Sequence, residues 1–106
     1  KKEMRHFMLY MKNRKQGKKN MNVKDKLQFI YEGYPNVLIA DGFYKAIMGI
    51  VERSGMNPVV LYNKNKCIGI MVKRDGMTEE EAIEFYYYNI VGAHMGDYTP
   101  CFAEIL

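Results

Sequence analysis

Three residues near the end of the chain are of the types that could do covalent chemistry. Cys101 follows His94 by seven residues, with Asp97 between them. A thiolate activated by an imidazole, itself oriented by a carboxylate, is a nucleophile for acyl transfer. Here the trio straddles an expected helix end and a turn, where nothing orients its members. Other chemistry is missing at the level of motif. The chain has neither a G-x-G-x-x-G nor a Walker A run and no C-x-x-C. His6, His94, Cys67 and Cys101 lack the spacing of a zinc site. Glu79, Glu80 and Glu81 are consecutive carboxylates, but at the start of an expected helix they read as compensation of the helix dipole rather than as a metal site. The expectation is a protein that is not an enzyme and has no cofactor and no metal.

The stretch around which the chain is organised runs over residues 78–96. Thr78 with Glu81 forms a capping box, Met77 and Ala82 stand in the places of a hydrophobic staple, and Gly96 offers a left-handed C′ residue. From Phe85 to Met95 there is no carboxylate, lysine or arginine. Apolar residues go nearly all the way round, so a long central helix surrounded by protein is expected, with Phe85 in the core. Tyr86, Tyr87 and Tyr88 point in three directions, so at least one of them reaches a surface or a subunit interface. Asn89 reads as a core amide or as a specificity contact, and His94 as a C-terminal residue favoured by the dipole when protonated. Tyr86, Tyr87, Tyr88, Asn89, His94 and Tyr98 are the candidate protein-binding residues.

The elements before this stretch follow from caps and breakers. Residues 3–12 place Met4, Phe7, Met8 and Met11 at helical spacing with a basic opposite face. Asn22 caps a helix over 23–32 with a stripe of Val23, Leu27, Ile30 and Tyr31 that Gly33 ends. Residues 37–40 are apolar but too few to assign. Residues 45–52 and 59–62, around the break Ser54-Gly55-Met56-Asn57-Pro58, read as an antiparallel strand pair. Residues 64–74 fit a third strand, or a helix capped by Asn63 and ended by Gly76. Residues 101–106 read as an edge strand after Pro100.

Length and charge bound the rest. A chain of 106 residues suits one domain with a real core. No apolar run approaches the roughly 20 residues of a membrane helix, and no apolar h-region follows the basic start, so neither a membrane span nor a signal peptide is expected. Cys67 and Cys101 are expected as reduced, buried thiols. The formal charge is +4, but residues 1–20 carry eight lysines and arginines against Glu3 alone. The reading is a basic N-terminal arm over 1–20 and a globular domain over 21–106.

The run Asp41-Gly42-Phe43, Ala46-Ile47, Gly49, Arg53, Val59-Val60-Leu61-Tyr62, Lys66-Cys67-Ile68, Arg74-Asp75-Gly76-Met77, Glu80-Glu81-Ala82, Glu84, Asn89, Gly92-Ala93, Gly96 and Thr99-Pro100 resembles a group of short, functionally uncharacterised proteins encoded by bacteriophages and prophages. The match covers about residues 36–103 and leaves out the arm. It implies the cytoplasm of a bacterial host. Members commonly carry a charged residue where Gly69 stands, which implies a helix over 64–74. The expected fold is a small single α+β domain, an antiparallel strand pair with a long central C-terminal helix and flanking helices. The expected function is a phage accessory protein that binds a host factor or its own copy as a homodimer. The alternative is a nucleic-acid-binding module using Lys12, Arg14, Lys15, Lys18 and Lys19.

Binding through the arm would be electrostatic, because each neutralised phosphate releases counterions. Affinity for DNA or RNA in a filter-binding titration should then fall steeply with salt, and charge reversal at those five positions should abolish it. Binding that persists unchanged in about 1 M salt contradicts the arm as its source.

Overall fold

Asparagine and threonine side chains start every α-helix of the described chain. The structure, a computed structural model, describes residues 21–106. The amphipathic pattern over 3–12 and the basic arm lie outside those residues. The described residues fall into two compact units, one that ends at Asn36 and one that runs over Val37–Leu106.

In the first unit, α1 is Val23–Gly33. Asn22 Oδ1 accepts from the Asp25 amide at 2.8 Å, and Asp25 places a negative charge in the first turn. At the other end the Tyr34 amide donates to Ile30 O at 2.7 Å. The expected stripe is graded rather than wholly buried: Ile30 is buried, Val23 and Leu27 are half-buried, and Tyr31 is exposed.

The second unit holds a mixed three-stranded sheet with two further α-helices. A single 3-10 turn, Tyr44–Ala46, precedes β1, Ile47–Val51; β2 is Val59–Asn63 and β3 is Cys101–Ala103. The strand order is β1-β2-β3. β1 and β2 run antiparallel, with Val51 opposite Val59 and Ile47 opposite Tyr62, and a bulge between Ile47 and Gly49 turns Met48 outward. β3 lies parallel to β2, with Phe102 opposite Tyr62. The expected pair is therefore part of a sheet of three. The C-terminal edge strand adds in parallel because the helices between β2 and β3 supply the long crossover that a parallel neighbour requires.

α2, Lys64–Asp75, settles the open choice for residues 64–74 as helix. Asn63 Oδ1 accepts from the Lys66 amide at 3.1 Å. Gly76, at φ 68°, ends α2 in the left-handed conformation that lysine or arginine would adopt only with strain. Arg74 ties this end to the loop before the sheet. Its Nη1 donates to Gly42 O at 2.7 Å, its guanidinium lies 5.2 Å from the Phe43 ring centre, and it pairs in bidentate fashion with Asp75 at 2.9 Å. That pairing holds the Asp75 carboxyl below the usual carboxylate range.

The long central helix is corrected. α3 covers only Glu79–Phe85, and a π-helical segment, Tyr86–Val91, continues it. The capping box is present: the Glu81 amide donates to Thr78 Oγ1 at 3.1 Å and the Thr78 amide to Glu81 Oε1 at 2.9 Å. The Thr78 amide also holds the Glu81 carboxyl below its usual range. In the π segment the Gly92 amide donates to Tyr87 O at 3.1 Å, and a Cβ at Gly92 would meet Tyr87 O at 3.0 Å and Tyr88 O at 3.1 Å. Those contacts are tighter than ordinary van der Waals distance, so a side chain at Gly92 would require the carbonyls to shift by a few tenths of an ångström. Gly96 is left-handed but sits in a later turn, where the Met95 amide donates to Thr99 Oγ1 at 2.8 Å and that hydroxyl to Gly96 O at 2.7 Å.

The core of the second unit is Phe43, Ala46, Ile47, Val59, Val60, Tyr62, Cys67, Met71, Ala82 and Tyr86. Phe85, expected inside, is 41% exposed, while Tyr86 is 2% exposed. Tyr86 stands four residues after the buried Ala82, with its amide donating to Ala82 O, so in ordinary helical phase its ring shares the inward face and Phe85 does not. Cys67 is buried, whereas Cys101, expected buried, is exposed because it stands on the outer strand of the sheet; both are free thiols.

Two urea-unfolding measurements check this. Tyr86→Ala should cost about 3–5 kcal/mol, and Phe85→Ala a small fraction of that. Gly69→Ala, where a Cβ meets nothing within 4 Å, should stabilise the helix interior by about 0.5–1 kcal/mol.

Candidate functional site

Lys64 opens α2 just after β2, so its long side chain can reach across to the π segment and the C-terminal tail. Its Nζ donates to Tyr87 Oη at 2.6 Å and to Glu104 Oε1 at 3.0 Å. These two bonds, Tyr87 first, raise the ammonium above the usual lysine range. Nζ lies 5.0 Å from the Tyr87 ring centre, a distance set by the bond to the hydroxyl at the end of the ring rather than by stacking over its face. The Tyr86 ring packs edge-on against Tyr87, with centres 5.2 Å apart, and edge-on against Phe102 at 5.6 Å. Burial pushes the Tyr86 phenol up to about 12 and the Cys67 thiol up to about 11. Neither group is poised to act as a nucleophile or base near neutrality.

This interior leaves a surface. Tyr88 is 78% exposed and Tyr87 49%, and Asn89, His94 and Met95 are also exposed. Phe85, Tyr88 and Asn89 join Met77, Glu81 and Glu84 around a shallow, open groove of about 450 Å³. Of the candidate binding residues, Tyr88 and Asn89 therefore come together. Tyr87 is tied to Lys64, and Tyr86 belongs to the core because its ring fills the space against Phe102. Asn89 is a groove residue rather than a core amide. His94 is exposed beyond the helix end, and Tyr98 is half-buried with its carbonyl accepting from the Leu38 amide at 3.4 Å.

The charged residues that line the groove, Glu81 and Glu84, are both carboxylates. From Asp75 to Leu106 the sequence holds seven carboxylates and no lysine or arginine. Glu79, Glu80, Glu81 and Glu84 are all exposed on the helix that carries Phe85 and Tyr88. The exposed face of α1, lined by Val23, Lys24, Leu27, Gln28, Tyr31 and Glu32, is apolar too, but its charges are mixed.

Among the described residues no hydrogen bond or ion pair joins His94, Asp97 and Cys101, and no group of three or more His, Cys, Asp or Glu could hold a metal ion. Among them, too, no helix is long and apolar enough to cross a membrane. Sequence reasoning missed Lys64, Phe85 and Glu104. Lys64 and Glu104 stand 40 positions apart, and no local spacing signals such a pair. No family model, no curated protein and no solved structure matches the chain.

The buried phenol and thiol make stability depend on alkaline pH. Both fold in the protonated form with raised pKa values, so above the unfolded values of 9.0 for Cys67 and 10.0 for Tyr86 the unfolded chain binds fewer protons than the folded one. Their contribution, on the order of a few kcal/mol, is complete at neutral pH and is lost as pH rises through about 11 and 12. Urea midpoints measured from pH 7 to 12 should hold level to about 9 and then fall, and Tyr86→Phe should fall less between 10 and 12.

Proposed function

We propose that this chain is a non-enzymatic protein-binding module, a phage accessory protein that engages a host factor or a second copy of itself in the bacterial cytoplasm. One observation carries the reading: two large aromatic rings, Phe85 and Tyr88, stand exposed around one groove, on a helix that is anchored by the buried Ala82 and Tyr86. Exposed aromatics grouped on a rigid element are the usual anchors of protein interfaces, since their area is large and few torsions are frozen on binding. Tyr86 and Tyr87 support that element from below and from the side. The resemblance of residues 36–103 to phage proteins supplies the setting. The second reading, nucleic-acid binding, draws on the charge of residues 1–20 alone.

The test compares wild type with Tyr88→Ala. The variant should unfold within about 0.5 kcal/mol of wild type, because the ring is solvent-exposed. It should also lose self-association in light scattering at tens of micromolar, or lose the proteins retained from nuclease-treated bacterial lysate. Retention that disappears with nuclease and is indifferent to Tyr88 would favour the nucleic-acid reading. A strict monomer that retains nothing in either condition would end the protein-binding reading.

A further inference from the structure

We infer that the groove beside Phe85 and Tyr88 takes a basic amphipathic helix of a partner protein, laid with its apolar side on the two rings and its lysines or arginines over the surrounding glutamates. This rests on the protein-binding reading and names the chemistry of the partner. The groove's lining combines apolar and aromatic side chains, Met77, Phe85 and Tyr88, with two carboxylates, Glu81 and Glu84. The groove is shallow and runs along the axis of α3 and the π segment, which suits an element that presents a stripe rather than a side chain that needs a deep pocket. Among the described residues no ion pair is made by Glu84. Glu84 is exposed and has no lysine or arginine on its own element, and the nearest acidic neighbours, Glu79, Glu80 and Glu81, add to the same sign. Arg74, at the preceding helix end, is already paired with Asp75, and Lys64 with Glu104. A polyanionic partner, or an acidic helix, would meet like charge at Glu81 and Glu84, whereas a basic one gains both apolar contact and charge complementarity. Asn89, exposed at the edge of the groove, offers a donor and an acceptor to fix the register.

The experiment uses the full chain and a fluorescein-labelled synthetic helix of about 18 residues, with leucine at i, i+3, i+4 and i+7 and lysine on its other faces. A second peptide has glutamate in place of every lysine. Fluorescence anisotropy should show saturable binding of the lysine peptide that weakens at least tenfold on Glu84→Lys and on Tyr88→Ala, and weakens similarly from about 50 mM to about 500 mM salt as the carboxylate charges are screened. The glutamate peptide should bind at least tenfold more weakly than the lysine peptide. Glu84 and Tyr88 are both exposed, so circular dichroism of each variant should match wild type. If both peptides bind alike through Tyr88, the surface takes helices regardless of charge: the inference falls and the protein-binding reading stands. If the lysine peptide binds but neither substitution weakens it, the site lies elsewhere and the inference falls. If the full chain alone doubles in mass at low salt, and the peptide displaces the second copy only when Tyr88 is present, the occupant is a second copy and the partner assignment is overturned. If neither peptide binds while Tyr88→Ala still abolishes partner capture, the partner is not a helix of this kind.

Discussion

The ring of Phe102 is the point on which the second unit turns. It stacks on Tyr62 at 5.4 Å with an interplanar angle of 26°, and meets Tyr86 edge-on at 5.6 Å and 89°. One geometry is offset stacking and the other edge-to-face, the two arrangements that the ring quadrupole favours, each worth about 0.5–1.5 kcal/mol beyond the area it buries. β3 is three residues long, too short to be held by ladder hydrogen bonds alone. Phe102 packs the C-terminal segment onto the central strand, and the Lys64–Glu104 pair holds it beyond the ladder. Tyr62 is fixed in turn by its hydroxyl, which accepts from the Ala40 amide at 2.7 Å, so a fully buried phenol oxygen has its partner.

The same contact decides what happens to three consecutive tyrosines. With Tyr86 committed to Phe102, Tyr87 falls beside Lys64 and gives up its hydroxyl to the ammonium, and Tyr88 is left facing solvent. The widening to a π-helix at Tyr86 accompanies this division. Such turns are rare in helices and occur often at functional sites. Here it begins at Tyr86, whose amide still donates to Ala82 O, on a run in which one aromatic is buried, the next is tied to Lys64 and the third is exposed.

Charge adds a direction to that surface. The C-terminal third of the chain is acidic throughout, and its few carboxylates with partners answer structural needs: Asp75 holds Arg74, Glu81 closes the capping box, and Glu104 meets Lys64. Glu84 has no such duty and lies beside the exposed rings. An apolar contact area gives affinity without choosing a partner, while one-signed charge around it excludes partners of like sign at little cost to the fold.

The sequence by itself determined the parts of this protein that depend on neighbours a few positions away. Asn22, Asn63 and Thr78 cap helices where their side chains reach an amide three residues on, and Gly76 ends α2 because it tolerates positive φ. Two apolar segments around the break at residues 54–58 were sufficient to place an antiparallel pair. The fate of the aromatic run was not legible in that way. Phe85 and Tyr86 are both aromatic and stand three and four residues beyond the buried Ala82, and which one is buried depends on a ring sixteen residues beyond Tyr86. Lys64, Tyr87 and Glu104 likewise meet only because β3 returns beside β2. Caps and turns are set by short-range hydrogen bonds. The inward and outward faces of an all-apolar helix are set by what packs against it, and that was decided by the tertiary structure.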